Sequence, residues 1–483
     1  MRNFAFLIFA SLLLHSAQSQ TLSPDVLQFV KVDAPVVALT HVRVIDGTGA
    51  PAREGQTVLL RAGKIESIGA PQVPQDARVL DLSGYTVIPG LVGMHNHLFY
   101  TASLNRDEKG KPLPPGILVN EVAFTGPRLY LACGVTTMRT TGSIEPYGDL
   151  EVKKQIEAGK MPGPKIDVTG PYLEGPGTIF PQMHELTGPD DARKLVDYWA
   201  SEGVTSFKAY MNITHDELGA AIDEAHKHGL KLTGHLCSVG YREAAALGID
   251  DLEHGPIYAD SEFVPDKQPD KCPGGQKIAD SWANLTISSP QVQEMIRDLV
   301  ARHVAVTSTL PVLELGIPGR PILQQRVLDA MSPESRVSYL AQRARMHATP
   351  GNPPREMLFK KEMGFEHAFA KAGGLLLAGP DPTGIGGTLP GFGDQREVEL
   401  LVEAGFTPLE AIHIATENGA QYLGRSSSIG TIAPGKQADL VIIKGDPSKN
   451  ISDIENVEMV FKDGIGYDSA KLMESVRSQV GIR

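Results

Sequence analysis

The chain has 483 residues, of which 41% are hydrophobic and 21% charged, and its formal net charge is −12. This length predicts one large domain together with a small one, and the composition is typical of a soluble globular protein. The acidic balance and the lack of a Lys/Arg cluster argue against a nucleic-acid-binding protein, because phosphate contacts need clustered cations. The negative charge is expected to serve solubility.

The N-terminus has the parts of a secretory signal peptide. Arg2 supplies a positive charge, residues 4–14 form an apolar run too short to span a bilayer, and Ala17 and Ser19 are small residues spaced for cleavage after Ser19. We therefore expect residues 1–19 to be removed, and the mature protein to be secreted or periplasmic with no membrane attachment. An uncleaved membrane anchor is the alternative interpretation.

The chain contains three cysteines, Cys133, Cys237 and Cys272. An odd number leaves at least one thiol unpaired in an exported protein, and the spacing resembles neither a zinc knuckle nor a disulfide framework. We expect all three to be core thiols, except that Cys272 lies in a loop rich in proline and glycine and is a candidate for exposure.

Two β-rich stretches lie far apart in the sequence. Residues 37–87 carry β-branched residues with glycine and aspartate at the turns, and residues 426–470 form a second stretch of the same kind. We expect the two stretches to pair into one small β-sandwich domain. The intervening residues 88–425 are then the main domain.

The main domain alternates strand-like runs with helical patterns. Eight strand-like runs occur in the order LVGMHNH, VTTMRTT, KIDVTG, SFKAY, KLTGH, DLEHG, AVTSTL and LLLAGPD. Among the helices between them, Thr214 with Glu217 and Thr407 with Glu410 mark capped N-termini. Strands alternating with helices predict parallel βα units, and eight in series predict an α/β fold of the (β/α)8, or TIM-barrel, type.

Loops rich in proline and glycine follow the first, sixth, seventh and eighth of these strands. Active sites of such barrels form at the carboxyl ends of the strands, so the four loops are candidate substrate loops. Solvated insertions without a functional role are the alternative for each of them.

Polar residues that are able to bind metal recur at the ends of the predicted strands. His95 and His97 stand two apart, so in a strand their side chains point to the same side and can reach one metal. A lone buried lysine is costly unless it is paired or chemically altered. The complete set is His95, His97, Lys208, His235, His254 and Asp381.

These residues and their surroundings resemble the binuclear amidohydrolase superfamily, particularly its branch similar to imidazolonepropionase and Xaa-Pro dipeptidase. PGLVGMHNH is similar to the family's first-strand motif, and SFKAY, KLTGH, DLEHG and AGPD to its fourth, fifth, sixth and eighth strands. TPLEAIHIATENGAQYLGR followed by GTIAPGKQADLVII resembles its last helix and returning β segment. The resemblance covers nearly the whole mature chain.

The resemblance implies a centre of two divalent metal ions. His95 and His97 would bind the more buried metal together with Asp381, while His235 and His254 would bind the more exposed one. Asp381 would also be the catalytic residue that takes the proton of the attacking hydroxide and passes it to the leaving amine.

The resemblance also implies that Lys208 reacts with CO2 to form a carbamate that bridges both metals, with a bridging hydroxide completing the site. The carbamate turns a cation into an anionic oxygen ligand. Two metals at about 3.5–4 Å lower the pKa of the bound water and polarise the substrate carbonyl. Zinc suits the histidine and carboxylate ligands, although other divalent ions fit as well.

Two positions depart from related proteins. The second strand of relatives often ends in Arg-Asp, whereas Arg139 is followed here by Thr140, which puts a salt bridge within that strand in doubt. Several mononuclear deaminases carry a glutamate three residues after the fifth-strand histidine, and this chain has Ser238 there. Together with Lys208, this difference argues against a deaminase.

Five further residues near strand ends or in the following loops are candidate substrate contacts: Arg139, Tyr172, His184, Tyr210 and Tyr241. An arginine at the barrel top would hold a substrate carboxylate through two hydrogen bonds, and a tyrosine or histidine would stabilise an oxyanion. A role in packing or loop structure is the alternative for each.

We therefore expect a secreted metal-dependent hydrolase that cleaves a C–N bond of a small molecule, such as a dipeptide, an N-acyl amino acid or a cyclic amide. An esterase or lactonase with the same metal centre is the second hypothesis, and a binding protein that has lost catalysis is the third. The sequence leaves the oligomeric state open, and a homo-oligomer is compatible with it.

Overall fold

A computed structural model of the chain describes residues 21–101, 113, 118–178, 180–348, 351, 353–382 and 384–481. The predicted signal peptide and nearly all of the first loop rich in proline and glycine lie outside the described residues.

The described residues form nineteen strands. In chain order they are β1 (Val30–Val32), β2 (Val36–Val44), β3 (Arg53–Arg61), β4 (Lys64–Gly69), β5 (Arg78–Asp81), β6 (Tyr85–Pro89), β7 (Leu91–Asn96), β8 (Phe99–Thr101), β9 (Val119–Glu121), β10 (Val135–Thr140), β11 (Lys165–Leu173), β12 (Ser206–Ala209), β13 (Lys231–Gly234), β14 (Asp251–Glu253), β15 (Ala305–Ser308), β16 (Leu376–Ala378), β17 (Leu440–Lys444), β18 (Val457–Lys462) and β19 (Ile465–Asp468).

The helices of the described residues fall mainly between the barrel strands. They are α1 (Pro24–Leu27), α2 (Thr125–Ala132), α3 (Pro146–Glu157), α4 (Pro189–Glu202), α5 (His215–Lys227), α6 (Tyr241–Leu247), α7 (Pro256–Ala259), α8 (Gly275–Ala283), α9 (Pro290–Ala301), α10 (Leu310–Glu314), α11 (Gln325–Ala330), α12 (Pro333–His347), α13 (Arg355–Lys371), α14 (Phe392–Glu403), α15 (Pro408–His413), α16 (Gly419–Tyr422) and α17 (Ser469–Glu474). A π-helical turn over Ile414–Asn418 and a 3-10 turn over Ile451–Glu455 complete the set.

Eight parallel strands form the barrel in the order β7, β10, β11, β12, β13, β14, β15 and β16. The backbone N–H of Asp381, just after β16, donates to the carbonyl of His95 on β7 at 3.0 Å and ties the eighth strand to the first. Gly379 permits this approach, since a Cβ there would lie 2.2 Å from the His95 nitrogen. The predicted (β/α)8 barrel is confirmed, and each predicted run carries one of its strands.

Local capping signals in the sequence set where two of the helices begin. The Thr214 hydroxyl accepts from the Glu217 N–H, and Glu217 accepts in return from the Thr214 N–H, which starts α5. Thr407 and Glu410 form the same reciprocal pair at the start of α15. Both pairs satisfy backbone donors that a helix otherwise leaves unpaired, so both predicted capping boxes are confirmed.

The two β-rich stretches lie in one separate sheet of nine strands, which begins at Val30 rather than at residue 37. Strand β6 pairs antiparallel with β17, with Val87 opposite Ile442. Alternate side chains of both stretches, among them Leu39 and Phe461, pack into one apolar core. The two β-rich stretches, far apart in sequence, therefore stabilise each other in one sheet.

The expectation of three unpaired cysteines is wrong, because Cys237 and Cys272 form a disulfide. Cys237 follows β13 and Cys272 lies in the loop after β14, so neighbouring strands bring together two residues that are 35 positions apart in sequence. Cys133 is a buried free thiol. No helix among the described residues is long and apolar enough to cross a membrane.

Candidate metal centre

The six predicted ligands lie at the carboxyl ends of five barrel strands. His95 is the second-last residue of β7, His97 lies just beyond the end of this strand, and Lys208 lies in β12. His235 and His254 directly follow β13 and β14, and Asp381 follows β16. In a parallel barrel these strand ends share one face, so topology alone directs the six side chains to a common region.

Three of the predicted ligands converge on one point. The metal-binding atoms of His95, His97 and Asp381 all lie within 4.8 Å of one another. Asp381 Oδ1 lies 3.2 Å from His97 Nε2 and 3.6 Å from His95 Nε2. Both histidines are fully buried.

The other ring nitrogen of each of these histidines has a fixed partner. His95 Nδ1 lies 2.6 Å from Glu253 Oε2, and His97 Nδ1 lies 3.2 Å from the Gly142 carbonyl oxygen. A carbonyl only accepts, so Nδ1 of His97 carries the hydrogen and its Nε2 presents a lone pair to Asp381. Two acceptors that face each other at 3.2 Å fit a cation between them, and second partners of this kind orient metal-binding histidines.

His254, His235 and Lys208 stand beside this group. The ring centroid of His254 lies 4.8 Å from that of His95 and 4.2 Å from that of His235. His254 Nδ1 contacts the Thr309 hydroxyl at 2.8 Å, while its Nε2 is buried without a hydrogen-bond partner. A buried nitrogen without a partner is costly, and a metal ion would remove that cost.

Lys208 is also buried, and its Nζ lies 3.1 Å from His95 Nε2. The ring of Tyr172 lies on another side of it, with the centroid 5.4 Å from Nζ. The lysine is thus adjacent to a predicted metal-binding nitrogen.

Burial controls the charges of the cluster. It lowers the pKa of all four histidines, that of His235 to about 3, so their imidazoles are neutral and able to bind metal at neutral pH. Burial also lowers the pKa of Lys208 to about 8. For Asp381, burial raises the pKa, but the neighbouring His95, His97 and Lys208 outweigh this effect, and the carboxyl pKa lies below its usual range.

Two of the predicted ligands have a left-handed backbone conformation. The φ angle is 73° at His254 and 48° at Asp381, values that residues other than glycine seldom adopt. Such strain persists only where the surrounding structure imposes it, and it concentrates at functional sites. The two turns direct these side chains inward just after their strands end.

Of the five candidate substrate contacts, Tyr172 and Tyr210 lie next to the cluster. Their ring centroids are 5.0 Å apart, and the centroid of Tyr210 is 5.0 Å from that of His235. Both pack in a small apolar group with Phe99 and the half-buried Phe180. Burial raises the pKa of both phenols, so each hydroxyl keeps its proton at neutral pH and remains a donor.

Arg139 and Tyr241 have hydrogen-bond partners inside the protein, and their predicted substrate contacts stay predictions. Arg139 is buried in the barrel interior, where it donates to Asp251 at 2.8 Å and to Glu253 at 2.9 Å. Tyr241 is buried as well, and its hydroxyl donates to the Glu253 carbonyl at 2.7 Å. Arg139 thus links strands β10 and β14, and Tyr241 links helix α6 to β14.

His184 is half exposed in the loop after β11, and its Nε2 lies 2.9 Å from Asp191 at the start of α4. Its proposed substrate contact stays a prediction, as does metal binding by the six ligands.

Sequence reasoning missed Glu253. This residue directly precedes His254, is fully buried and contacts His95. Residues two apart in a strand point to the same face, and Glu253 and Asp251 both face the barrel interior, where they contact Arg139. A pair of acidic residues two apart in a buried strand was the available signal.

Neutral imidazoles, a carboxylate and a lysine at the carboxyl end of a parallel barrel are the arrangement expected of a metal-dependent hydrolase. The model of the amidohydrolase family matches residues 86–267 and 375–465, which is more than half of the chain. The chain therefore belongs to the amidohydrolase family.

Curated relatives match over local segments. N-substituted formamide deformylase of Arthrobacter pascens is 36% identical over 87 residues, which is 17% of this chain and 15% of that protein. A dihydroorotase of Lactobacillus leichmannii is 25% identical over 200 residues, 41% of this chain and 37% of that protein. The chain thus matches well under two thirds of the length of these relatives.

Solved structures are similar along nearly their whole length. A putative prolidase from Bifidobacterium longum has a TM-score of 0.63 at 23% identity and covers 92% of this chain and 99% of its own. A bottromycin amidohydrolase has a TM-score of 0.67 at 21% identity and covers 94% of both chains. At these identities the similarity supports the fold.

Proposed function

We propose that the protein is an exported, metal-dependent amidohydrolase that cleaves an amide or peptide-like bond of a small substrate, such as a dipeptide, an N-acyl amino acid or a cyclic amide. The observation that carries this proposal is the convergence of His95, His97 and Asp381, with the unpartnered Nε2 of His254 close by. Two divalent ions, zinc by preference, suit this set of nitrogen and oxygen donors.

Carbamylation of Lys208 is part of the proposal. Its neutral amine would add to CO2 and release one proton, so that an anionic carbamate replaces a cation among the metal ligands. Burial favours the neutral amine, since it lowers the Lys208 pKa to about 8. The carbamate would then be a ligand shared by the metal ion that His95 binds and the one that His235 and His254 bind.

The chain supplies the remaining chemistry around the metals, which when bound would acidify a water and polarise the scissile carbonyl. The lowered pKa of Asp381 keeps it a carboxylate, which would take the proton of the attacking water. When the carbon–nitrogen bond breaks, Asp381 returns this proton to the leaving nitrogen. The protonated hydroxyls of Tyr172 and Tyr210 are proposed to donate to substrate oxygens, which would orient the amide.

One fold neighbour and the side chains around the site support the proposed substrate class. One solved structure of the same fold is a Xaa-Pro dipeptidase with bound methionine in its active site, at 19% identity and a TM-score of 0.64. The aromatic and apolar side chains beside the histidine cluster, including Phe99 and Phe180, favour a substrate with an apolar group next to the scissile bond.

Export is proposed from the predicted signal peptide over residues 1–19. The Cys237–Cys272 disulfide supports it, because disulfides persist mainly in oxidising compartments. N-terminal sequencing of protein from the native host tests this part, and a mature chain that still begins at Met1 would refute it.

A substrate panel on zinc-loaded protein tests the activity. It contains dipeptides, N-acyl amino acids and cyclic amides, together with the matching esters and lactones. We expect amide hydrolysis that a chelator removes and added zinc restores. Hydrolysis of esters or lactones alone would favour the second hypothesis, and substrate binding without turnover would favour a binding protein.

A further inference from the structure

The barrel interior beneath the metal ligands contains a polar layer instead of the usual apolar one. Glu253 Oε1 accepts from Arg139 Nη2 at 2.9 Å and from the Thr233 hydroxyl at 2.5 Å. Its other oxygen, Oε2, lies 2.6 Å from His95 Nδ1. Four strands, β7, β10, β13 and β14, thus meet at a single carboxylate that is fully buried.

Arg139 is itself held from two further directions. Its Nε donates to the Met94 carbonyl at 2.8 Å, and its Nη2 also donates to Asp251 at 2.8 Å. Asp251 accepts in addition from the Thr307 hydroxyl. The arginine is therefore fixed, and it holds the Glu253 carboxylate in one place below His95.

This arrangement determines which ring nitrogen of His95 is free to bind a metal ion. A carboxylate that accepts from Arg139 and Thr233 also accepts from His95, which places the imidazole hydrogen on Nδ1 and leaves the Nε2 lone pair directed at Asp381 and Lys208. A carboxylate behind a metal-binding imidazole fixes the tautomer and raises the basicity of the binding nitrogen.

We propose that Glu253 is a positioning residue of the metal centre: its carboxylate sets the tautomer and orientation of His95, and Arg139 anchors that carboxylate from the barrel floor. This inference rests on the proposed function, since it requires a metal at His95. It also gives the buried Arg139 a role other than the substrate contact expected from the sequence.

The test compares Glu253→Gln with Asp251→Asn. Both substitutions remove one buried carboxylate charge from β14, and both side chains contact Arg139, but the Asp251 carboxylate contacts Thr307 and no predicted metal ligand. Zinc affinity is measured on metal-free protein by competition with a chromogenic chelator, and the cobalt-loaded forms are compared by visible absorption. Thermal unfolding of the metal-free proteins measures what each substitution does to the fold.

We expect Glu253→Gln to weaken zinc binding by about 10–100-fold and to change the cobalt spectrum, which is the usual effect of losing such a partner. Asp251→Asn should lower thermal stability to a similar degree while leaving zinc affinity within about threefold of the wild type, because the remaining amide oxygen still accepts from Arg139 Nη2 and Arg139 Nε keeps its contact with the Met94 carbonyl. Glu253→Asp keeps the charge but moves it away from His95, so its zinc affinity should lie between those of the other two variants. This variant replaces Glu253→Gln in the test if the glutamine variant does not fold.

Equal zinc affinities of Glu253→Gln and the wild type would overturn the positioning role and leave the proposed function standing. An equal loss in Asp251→Asn and Glu253→Gln would also overturn it, because the effect would then be one of fold alone. A wild-type protein that binds no zinc or cobalt would instead refute the proposed function itself.

Discussion

Two buried lysines lie in different regions of this molecule, and their surroundings differ in a way that bears on function. Lys208 lies in the barrel among the predicted metal ligands, and Lys462 ends β18 of the separate sheet, where it lines a cleft of about 370 Å³ together with Lys165 and Asp463. Burial lowers the pKa of each lysine to about 8. A buried lysine with a lowered pKa is therefore not by itself a signal for a carbamate.

The groups that face each lysine separate the two cases. Lys208 Nζ stands 3.1 Å from a histidine nitrogen, where a carbamate would meet metal ions. Lys462 is subject to the charges of Asp463, Lys165, Asp439 and Glu157, and the described lining of its cleft contains no histidine that could hold a metal ion beside a carbamate. A functional lysine is therefore marked by neighbouring side chains that are able to bind a metal ion, and not by burial alone.

The largest expected effect is that of Lys208→Ala on turnover. Removing the proposed bridge should lower kcat/KM by about 10³-fold or more, which corresponds to about 4 kcal/mol of transition-state stabilisation. Lys462→Met should keep most of the activity, because its cleft contains none of the predicted ligands. Steady-state rates on the best substrate of the panel measure both variants.

Small carboxylic acids sharpen this prediction. Acetate or propionate added with zinc should restore part of the activity of Lys208→Ala by occupying the vacated bridge. Lys208→Arg should show no rescue, because the guanidinium remains a cation. Near-normal activity of Lys208→Ala without added acid would contradict a functional difference between Lys208 and Lys462, since neither lysine would then be needed for activity.

A smaller effect is expected from removing CO2. Metal-free protein that is reloaded with zinc in CO2-depleted buffer should recover several-fold less activity than protein reloaded with bicarbonate present. Lys462→Met should show the same dependence as the wild type, because the reaction with CO2 is assigned to Lys208 alone. Recovery that is indifferent to bicarbonate would contradict the carbamate.

The tyrosines beside Lys208 should matter less again. Tyr210→Phe and Tyr172→Phe remove a hydroxyl donor but keep the ring, and we expect each to lower kcat/KM by about tenfold, the value of one hydrogen bond to a substrate. The described lining of the Lys462 cleft has no aromatic side chain to compare. Unchanged kinetics in both variants, with zinc content intact, would leave the tyrosines with a packing role only.

The smallest effect on activity, but a measurable one on stability, is expected at Lys462. Its pKa is about 8 in the folded chain against 10.5 when unperturbed, so the charged form costs up to about 3 kcal/mol of stability. This cost is fully present below pH 8 and disappears as the pH rises to 10.5, because the unfolded chain alone still holds the proton in that window.

Lys462→Met should therefore be more stable than the wild type at pH 7, with the difference shrinking by pH 10. Denaturant unfolding at the two pH values measures it. A difference between variant and wild type that stays constant with pH would show that Lys462 carries no such burial cost.

Much of this molecule could be predicted from the sequence because short-range patterns determine it. Strand runs ending in polar residues predict both the barrel and the face on which His235, His254 and Asp381 gather. The depth of a side chain along the barrel axis, by contrast, leaves no comparable pattern in the sequence. Arg139 and Lys208 look alike as cations in buried strands, yet one lies under the histidine cluster and the other within it.

Tertiary neighbours account for the other differences from the sequence analysis. The disulfide joins Cys237 and Cys272 only because β13 and β14 are adjacent in the barrel, and spacing along the chain does not reveal this. Glu253 acts on His95 across the barrel interior, at a separation of 158 residues. Contacts of this kind depend on the closed barrel and not on any local run of residues.

Metal content tests the central claim most directly. We would purify the wild-type protein, Lys208→Ala and Lys462→Met under the same conditions with zinc. Inductively coupled plasma mass spectrometry then measures the bound metal per chain. We expect about two zinc ions per chain in the wild type and in Lys462→Met, and a clear loss of bound zinc in Lys208→Ala. Full zinc content in Lys208→Ala would contradict a binuclear centre bridged by this lysine and favour a single metal held by the remaining ligands.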